Sequence, residues 1–446
     1  MDTEGLVSNM DPARGMEELP LLPALSSMVK LIPKSLIEIL DWFVENDSHA
    51  WIVGGANRNA LLGTSVNEFD LATTMTPDEM KTYPDTIPTG ERYGTITFRN
   101  RGDCYEITTL RTESGYNDGR RPDEVEWGDS LLVDLSRRDL TMNSIAVNVS
   151  KKVYYDPFNG CEDLQKRLIR SVGEPSKRLS EDALRILRSY RFMDQGTAGI
   201  WWPDKQLADA LRQTKPMLDL IASERIWSEF KRILLGKHAS EIVQRMANDG
   251  ILKQLFGIDW MQDDVQIELL NHIEGDDVID RLVVMMRDFS TKDCEYLSVK
   301  LRLSGTEKKN LIRRHSIMGQ IPENMDSSMR VYAVAIGEWS YQHLRLERMF
   351  AQHDASLNYS VEDLQQLIDR LMNLKIDFQV EPLAGGEYIM QQTNMPQGPK
   401  LGALKAWLFY EQVARNLQSI DEIDTLLCTL SWQTEDTSRW PKLQFP

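Results

Sequence analysis

Cysteine is scarce. Cys104, Cys161, Cys294 and Cys428 are scattered over 446 residues with no C-x-x-C pair, which leaves no zinc ribbon and no disulfide framework to build. No run of eighteen apolar residues occurs, so no membrane-spanning helix is expected. The opening MDTEGLVSNMDPARGMEELP has neither the basic start of a secretion signal nor the Arg-rich, acid-poor character of a transit peptide; the expectation is a soluble protein of the cytoplasm with no membrane partner. Fixed-period repeats and low-complexity tracts are missing too. Positive charge is short overall, with a formal net charge of -17, which argues at first against a polyanionic partner. The deficit is uneven, however. Basic residues gather in KRLIRSVGEPSKRLSEDALRILRSYR, residues 166–191, and in KLRLSGTEKKNLIRR, residues 300–314, so the chain reads as an acidic protein with basic tracks.

What is present is a 41% hydrophobic chain too long for one core. Residues 1–28 are polar and Pro-dotted and read as a flexible lead-in. The spacing of LIEILDWFV predicts a helix from Leu36 to Val44, and Trp51-Ile52-Val53 ended by Gly54-Gly55 predicts a strand and a turn. Thr95 to Phe98, Tyr105 to Leu110 and Val153 to Tyr155 are further strand candidates, which makes residues 30–155 a small α/β domain. Beyond residue 160 helical patterns take over. Ser180 is expected to cap EDALRILRSYRF, and Ser304 with Glu307 to form a capping box. Breaks are expected at Gly385-Gly386 and from Pro396 to Gly402.

The segment VGGANRNALLGTSVNEFDLAT, residues 53–73, carries the most chemistry. The Gly54-Gly55 pair after a strand lets backbone N–H groups approach a phosphate, and Arg58, about one helical turn on, can fork onto the same anion. Glu68 and Asp70 flank Phe69. On a strand they would share a face and could bridge two Mg²⁺ ions holding a triphosphate. Glu106, in CYEITTLR, is a third carboxylate; alone it reads as a cross-strand charge partner. If its strand neighbours that of Asp70, it would complete the metal site or take the proton from an attacking 3′-hydroxyl. Asp182, Arg185, Arg188 and Arg191 recur every three residues and would lie along one drifting helical face. Cytosine and adenine both present an exocyclic amine beside a ring-nitrogen acceptor, which a carboxylate and a guanidinium can match while guanine and uracil are refused.

The order GGANR, EFDLAT, GERYGTITF, YEITTLR, DGRRPDEVEW, RRDLTMNSIA, DPFNGCEDL and EDALRILRSYRF resembles the class II CCA-adding tRNA nucleotidyltransferases, a family that includes the bacterial poly(A) polymerases. The match runs from about Leu40 to Arg191, with weaker similarity in ERIWSEFKRILLG, DGILKQLFG, LRLSGTEKK and GPKLGALKAWL. The resemblance implies an α+β protein: a polymerase β-like nucleotidyltransferase head over residues 29–155, then a helical neck over 156–215, body over 216–330 and RNA-binding tail over 331–446. It implies Mg²⁺ ligation by Glu68 and Asp70, with Glu106 completing the catalytic set. Gly54, Gly55, Arg58 and Arg138 would contact the nucleotide phosphates, Asp139 the sugar, and Asp182, Arg185, Arg188 and Arg191 would read the base and face the phosphates.

It further implies CTP and ATP as substrates and tRNA as acceptor, with A-only addition, poly(A) addition, or RNA binding without catalysis as alternatives. Two positions depart from the family: Glu stands where Asp is usual at 68, and Asn57-Arg58-Asn59 where V-R-D is usual. Glu68 is expected to alter rate or metal preference before it abolishes activity. The polar, Gly-rich segment Arg111 to Ser130 resembles the family's flexible loop, which favours full CCA or terminal A addition. Lys300, Arg302, Lys308, Lys309, Arg313, Arg314 and Lys400 are candidates for RNA backbone contacts, Lys400 at the start of a helix opened by Gly398-Pro399. His353-Asp354 stands without companion ligands, and no phosphohydrolase centre is expected from it.

Overall fold

The computed structural model describes residues 11–114, 124–258, 265–433 and 436–445. The chain divides into two compact units, Met1–Asp263 with Lys300–Arg302, and Asp264–Val299 with Leu303–Pro446. The division falls inside the segment 216–330 that the resemblance treats as one body.

In the first unit β1 (Leu19–Pro20), α1 (Pro23–Lys30) and α2 (Lys34–Glu45) precede β2 (Ala50–Val53), α3 (Gly55–Leu61), β3 (Asp70–Thr73) and α4 (Pro77–Met80). Then come β4 (Thr86–Gly90), β5 (Thr95–Asn100), β6 (Asp103–Thr109), the hairpin strands β7 (Arg111–Ser114) and β8 (Glu124–Trp127), α5 (Leu131–Ser136), β9 (Ala146–Asn148), β10 (Val153–Tyr155) and α6 (Gly160–Lys166). Eight strands form one sheet in the order β1-β10-β9-β2-β3-β6-β5-β4. Every pairing is antiparallel except β3 with β6. The apolar run AWIV becomes an interior strand because both of its faces are covered, and Trp51, Ile52 and Val53 are buried. Trp51 and Val53 join Leu110, Leu131, Leu135 and Tyr155 in one core cluster. Elsewhere in the unit Phe43 of α2 stacks on Phe98 of β5, ring centroids 5.8 Å apart.

The expected flexible lead-in is overturned over its described part. Leu19 and Pro20 pair with Tyr154 and Val153 at the edge of the sheet, Tyr155 donates to Glu18, and Leu25 and Met28 of α1 are buried. Pro23 at the first helical turn starts α1 where its missing N–H costs nothing.

The helical part of this unit holds β11 (Leu168–Ile169), α7 (Pro175–Glu181), α8 (Leu184–Met193), β12 (Trp202–Pro203), α9 (Lys205–Thr214), α10 (Ser223–Leu234), α11 (Ala239–Asn248) and α12 (Ile251–Phe256). Ser180 does not cap a helix: it lies in the last turn of α7, its hydroxyl donating to Ser176 O. The chain extends at Asp182 (φ -144°), whose Oδ1 accepts from Leu184 N–H and so starts α8.

The second unit comprises α13 (Val265–Glu268), α14 (Val278–Met285), α15 (Thr291–Lys300), α16 (Gly305–Ile317), α17 (Asp326–Ile336), α18 (Trp339–His353), α19 (Val361–Asn373), α20 (Gly386–Thr393), α21 (Pro399–Arg415) and α22 (Ile420–Thr429). The Ser304–Glu307 capping box is present and helices break at Gly385, whereas of the break expected from Pro396 to Gly402 only residues 396–398 lie outside a helix, because α21 begins at Pro399. Among the described residues no helix is long and apolar enough to cross a membrane.

Candidate active site

β2 must end at Val53, because Gly54 takes φ +74° and ψ -131°, a conformation open only to glycine, and turns the chain into α3. The missing side chain also leaves room: a Cβ on Gly54 would sit 3.5 Å from Arg138 Nη1 and 3.8 Å from Asp70 Oδ2. Since β2 pairs with β3 only up to Val53↔Asp70, no ladder remains for residues 68 and 69. Glu68 therefore precedes the strand and Asp70 opens it, which corrects the expectation of both carboxylates on one strand. They nevertheless line the same cleft.

β6 runs parallel beside β3 with Leu71 opposite Ile107, so Glu106 stands one residue before Ile107 as Asp70 stands one before Leu71. The pairing that the role of Glu106 required is thus present. Asp70 is held above its ordinary value by desolvation first and then by Glu106, with Arg138 pulling the other way and Glu68 adding to the rise. Mutual repulsion among hard oxygen donors is what a divalent cation relieves, and in donor chemistry the set fits Mg²⁺. Among the described residues no three His, Cys, Asp or Glu side chains stand close enough together to hold a metal ion as they are placed.

Arginines converge with the acids in one cleft of about 590 Å³. α8 buries Leu184, Ile186, Leu187, Tyr190 and Met193 and so turns Arg185, Arg188 and Arg191 to its other side. Arg58, Arg188 and Arg191 stand over the Phe192 ring at 5.0, 5.5 and 4.3 Å. Arg58 donates to Asn143 at 2.6 Å and to Asn59 at 3.0 Å, so an amide at 59 still orients this guanidinium where the family carries a carboxylate. Burial, then Arg191, pulls its pKa down to about 10. Asn57, the other departure, is fully buried and donates to Ile52 O at 2.8 Å and Ile145 O at 2.9 Å.

Arg138 lines the cleft, tied to Asp134 at 3.1 Å, and its Nε is buried with no hydrogen-bond partner. Asp139 is not open to a sugar: Arg188 donates to its Oδ2 at 2.8 Å, while Leu140 N–H and Asn143 donate to Oδ1. Burial opposes its ionisation, yet Arg188 and Asn143 hold it well below the usual carboxylate range. Asp182 stands at the break between α7 and α8, not on the arginine face, and accepts from Arg225 of α10 at 2.9 Å. Arg185 donates to Glu181 at 2.9 Å, Arg178 O at 3.0 Å and Arg137 O at 2.9 Å. Sequence reasoning missed Asp134, Asn143, Glu181, Phe192, Arg225 and Glu229. All six lie inside or beside the quoted motifs, but no spacing rule marks Arg225 or Glu229, which only the packing of α10 brings to α8.

The chain carries two family matches, to the poly A polymerase head domain over residues 50–170 and to the probable RNA and SrmB-binding site of polymerase A over residues 203–257. Residues 50–170 thus match the poly A polymerase head domain. A protein named CCA-adding enzyme from Lactococcus lactis subsp. lactis is 28% identical over 396 residues, 86% of this chain and 94% of that protein. Another of that name from Geobacillus thermodenitrificans is 41% identical over 210 residues, 47% of this chain and 51% of that protein. The fold is that of the Bacillus stearothermophilus CCA-adding enzyme solved with CTP, at a TM-score of 0.71 and 24% identity over 92% of this chain and 98% of that one.

Within this poly A polymerase head the segment Arg111 to Ser130, expected as a flexible loop, holds the paired strands β7 and β8, and its residues 115–123 lie outside the described residues.

The candidate RNA contacts fare unevenly. Lys300 and Arg302 belong to the first unit and Lys308 onward to the second, so the apparent basic track is divided. Arg302 pairs with Glu224 at 2.6 Å on the surface. Arg314 is not available to a phosphate: it pairs with Asp277 at 2.7 Å and Asp280 at 2.8 Å and stands over Trp339. Arg313 donates to Ala335 O and Ile336 O at the end of α17. Lys308 is half-buried, Lys309 exposed, and Lys400 stands 6.0 Å from the Trp440 ring at the start of α21.

Proposed function

We propose that this protein adds nucleotides to the 3′ end of tRNA without a nucleic-acid template, building CCA from CTP and ATP by two-metal nucleotidyl transfer. The reading rests on one observation: carboxylates Glu68, Asp70 and Glu106 line a single cleft together with Arg58, Arg138 and the α8 arginines. The proteins it resembles bear the name CCA-adding enzyme, and structures of such enzymes have been solved in complex with ATP and with a tRNA.

Arg58 and Arg138, beside the backbone turn at Gly54, bind the triphosphate and orient its α-phosphorus. Glu106 takes the proton of the attacking 3′-hydroxyl. Magnesium held by Glu68 and Asp70 would supply Lewis-acid stabilisation of the charge that develops on the phosphate oxygens. Asp182 accepts from the exocyclic amine of C or A, and Arg185 donates to the ring nitrogen; Arg225 and Glu181 keep the two side chains in that orientation. Guanine and uracil would leave these groups unpaired.

Full-length protein given Mg²⁺, single NTPs and tRNAs ending before C, after C and after CC tests this. CTP then ATP incorporation is the expected result. ATP addition on the CC substrate alone identifies an A-adding enzyme, ATP added in long runs a poly(A) polymerase, and tight tRNA binding without extension an inactive binder.

A further inference from the structure

The arginine cluster does not end with the cleft. Phe192, Arg58, Arg191 and Arg232 also line a second cavity of about 360 Å³, whose remaining wall includes Asn59, Thr64 and Asp194. Its charge is unbalanced. Arg191 donates to Glu229 at 2.8 Å, and Arg232 reaches the same carboxylate only at 3.5 Å. Asp194 is occupied by the backbone, accepting from Gly196 and His238 N–H groups. Three guanidiniums thus line a cavity whose own wall holds one carboxylate, Asp194, and Glu229 is shared between Arg191 and Arg232; Arg191 is pulled below its ordinary value by burial, with Arg188 and Arg232 pulling it further in opposition to Glu229. Arg232 projects from α10 with 60% of its side chain exposed, beside the Phe192 wall that the cleft and this cavity have in common. A guanidinium so placed has its fork of donors available for a phosphate group.

We propose that Arg232, together with Arg58 and Arg191, receives the pyrophosphate released by nucleotidyl transfer, and that the cavity at Phe192 is the route by which this product leaves. The proposal rests on the nucleotidyl-transfer reading of the cleft. In that reaction the 3′-oxygen bonds to the α-phosphorus, the bond from that phosphorus to the α–β bridging oxygen breaks, and pyrophosphate departs with the electron pair while the hydroxyl proton passes to Glu106. The product carries more negative charge on two phosphates than it did within the triphosphate. A neighbouring cavity lined by three arginines draws it away from the acids that line the cleft.

The test uses inorganic pyrophosphate with Mg²⁺ as the probe, titrated calorimetrically into the full chain and run as a product inhibitor of CTP incorporation. Arg232→Ala should weaken pyrophosphate binding about tenfold and raise its inhibition constant by the same factor, with KM for CTP moving less than about twofold. Arg232→Lys, which keeps the charge and loses the fork, should fall between. Unchanged pyrophosphate affinity in Arg232→Ala, against a clear loss in Arg58→Ala, overturns the exit while leaving the cleft reading intact. Equal losses of CTP and pyrophosphate affinity make Arg232 an ordinary triphosphate contact and overturn it as well, as does weakened tRNA binding with pyrophosphate affinity preserved. Wild-type protein that binds neither CTP nor pyrophosphate removes the nucleotidyl-transfer reading itself.

Discussion

Arginines of the two units do different things with the same chemistry. In the N-terminal unit Arg58, Arg188 and Arg191 crowd around the Phe192 ring and line a cleft; Arg58 is pulled below its ordinary value by burial and then by Arg191, and Arg191 by burial and then by Arg188 and Arg232. In the C-terminal unit Arg287 stands 4.0 Å from the Phe350 ring and pairs with Glu347, while Arg314 covers Trp339 and pairs with Asp277 and Asp280. Each guanidinium lies over an aromatic ring in both places. What separates them is whether carboxylates close the remaining donors or leave them beside space. An arginine enclosed by acids holds helices together; one among other arginines at a cavity is held ready for an anion.

The largest effect that sharpens this contrast is structural. Glu347 is fully buried and accepts from Tyr359 and from Gly319 N–H at 2.6 Å, with Arg287 at 3.3 Å. Burial opposes its ionisation, but His343 and these donors hold its carboxyl below the ordinary value. Glu347→Ala strands buried partners and should cost about 3–5 kcal/mol, read as lost hydrogen-exchange protection across Trp339–His353. CTP binding should be untouched; a parallel loss of CTP affinity would break the separation of roles.

Next in size, Asp70→Ala should lower CTP incorporation at least about a hundredfold, with near-normal rates undoing the metal-ligand assignment. In the metal-free protein the Asp70 carboxyl should titrate above the ordinary carboxylate range, because it is held above its ordinary value by desolvation and by Glu106. The sign for stability is the reverse of the usual Asp case. The folded state binds the Asp70 proton more tightly, so stability conferred by the neutral form is lost as pH rises from the ordinary value through the raised one. Asp70→Asn, permanently neutral, should therefore melt higher than wild type at neutral pH while failing to extend tRNA.

A smaller effect is expected at the turn. Gly54→Ala forces a side chain into a glycine conformation beside Arg138 and Asp70 and should cost about 1–3 kcal/mol in stability, with a fall in kcat visible in the same preparation. Smallest of all, Lys309→Ala should reduce the salt dependence of tRNA binding by about one unit of slope, and Arg314→Ala should leave that slope unchanged while lowering thermal stability. Equal slopes for the two would erase the difference drawn between open and enclosed cations.

Much of the head could be read from pattern. The runs WIV, TITF and YEITT are strands because β-branched and aromatic residues alternate or cluster between turn residues, and the Ser304–Glu307 box needs only three residues' separation to form. The misreadings have local causes. Ser180 looked like a cap, but Pro175 had already started a helix and Asp182 supplied the next one's first acceptor. The N-terminal segment looked flexible because two residues of edge strand leave no periodic signal, and its order comes from Tyr154 and Val153, more than a hundred residues away.

Motif chemistry along the chain determined which residues share the cleft: a glycine turn, a forked cation and closely spaced acids are all specified within about twenty residues, where covalent connection enforces proximity. Tertiary structure alone decided the rest. Glu106 stands beside Asp70 because β3 and β6 pair in parallel, and Arg225 meets Asp182 because α10 packs on α8. Arg314 is withdrawn from solvent because Asp280 and Trp339 reach it from other helices. Contacts between distant segments depend on the packing of whole faces, and no short window of sequence contains both partners.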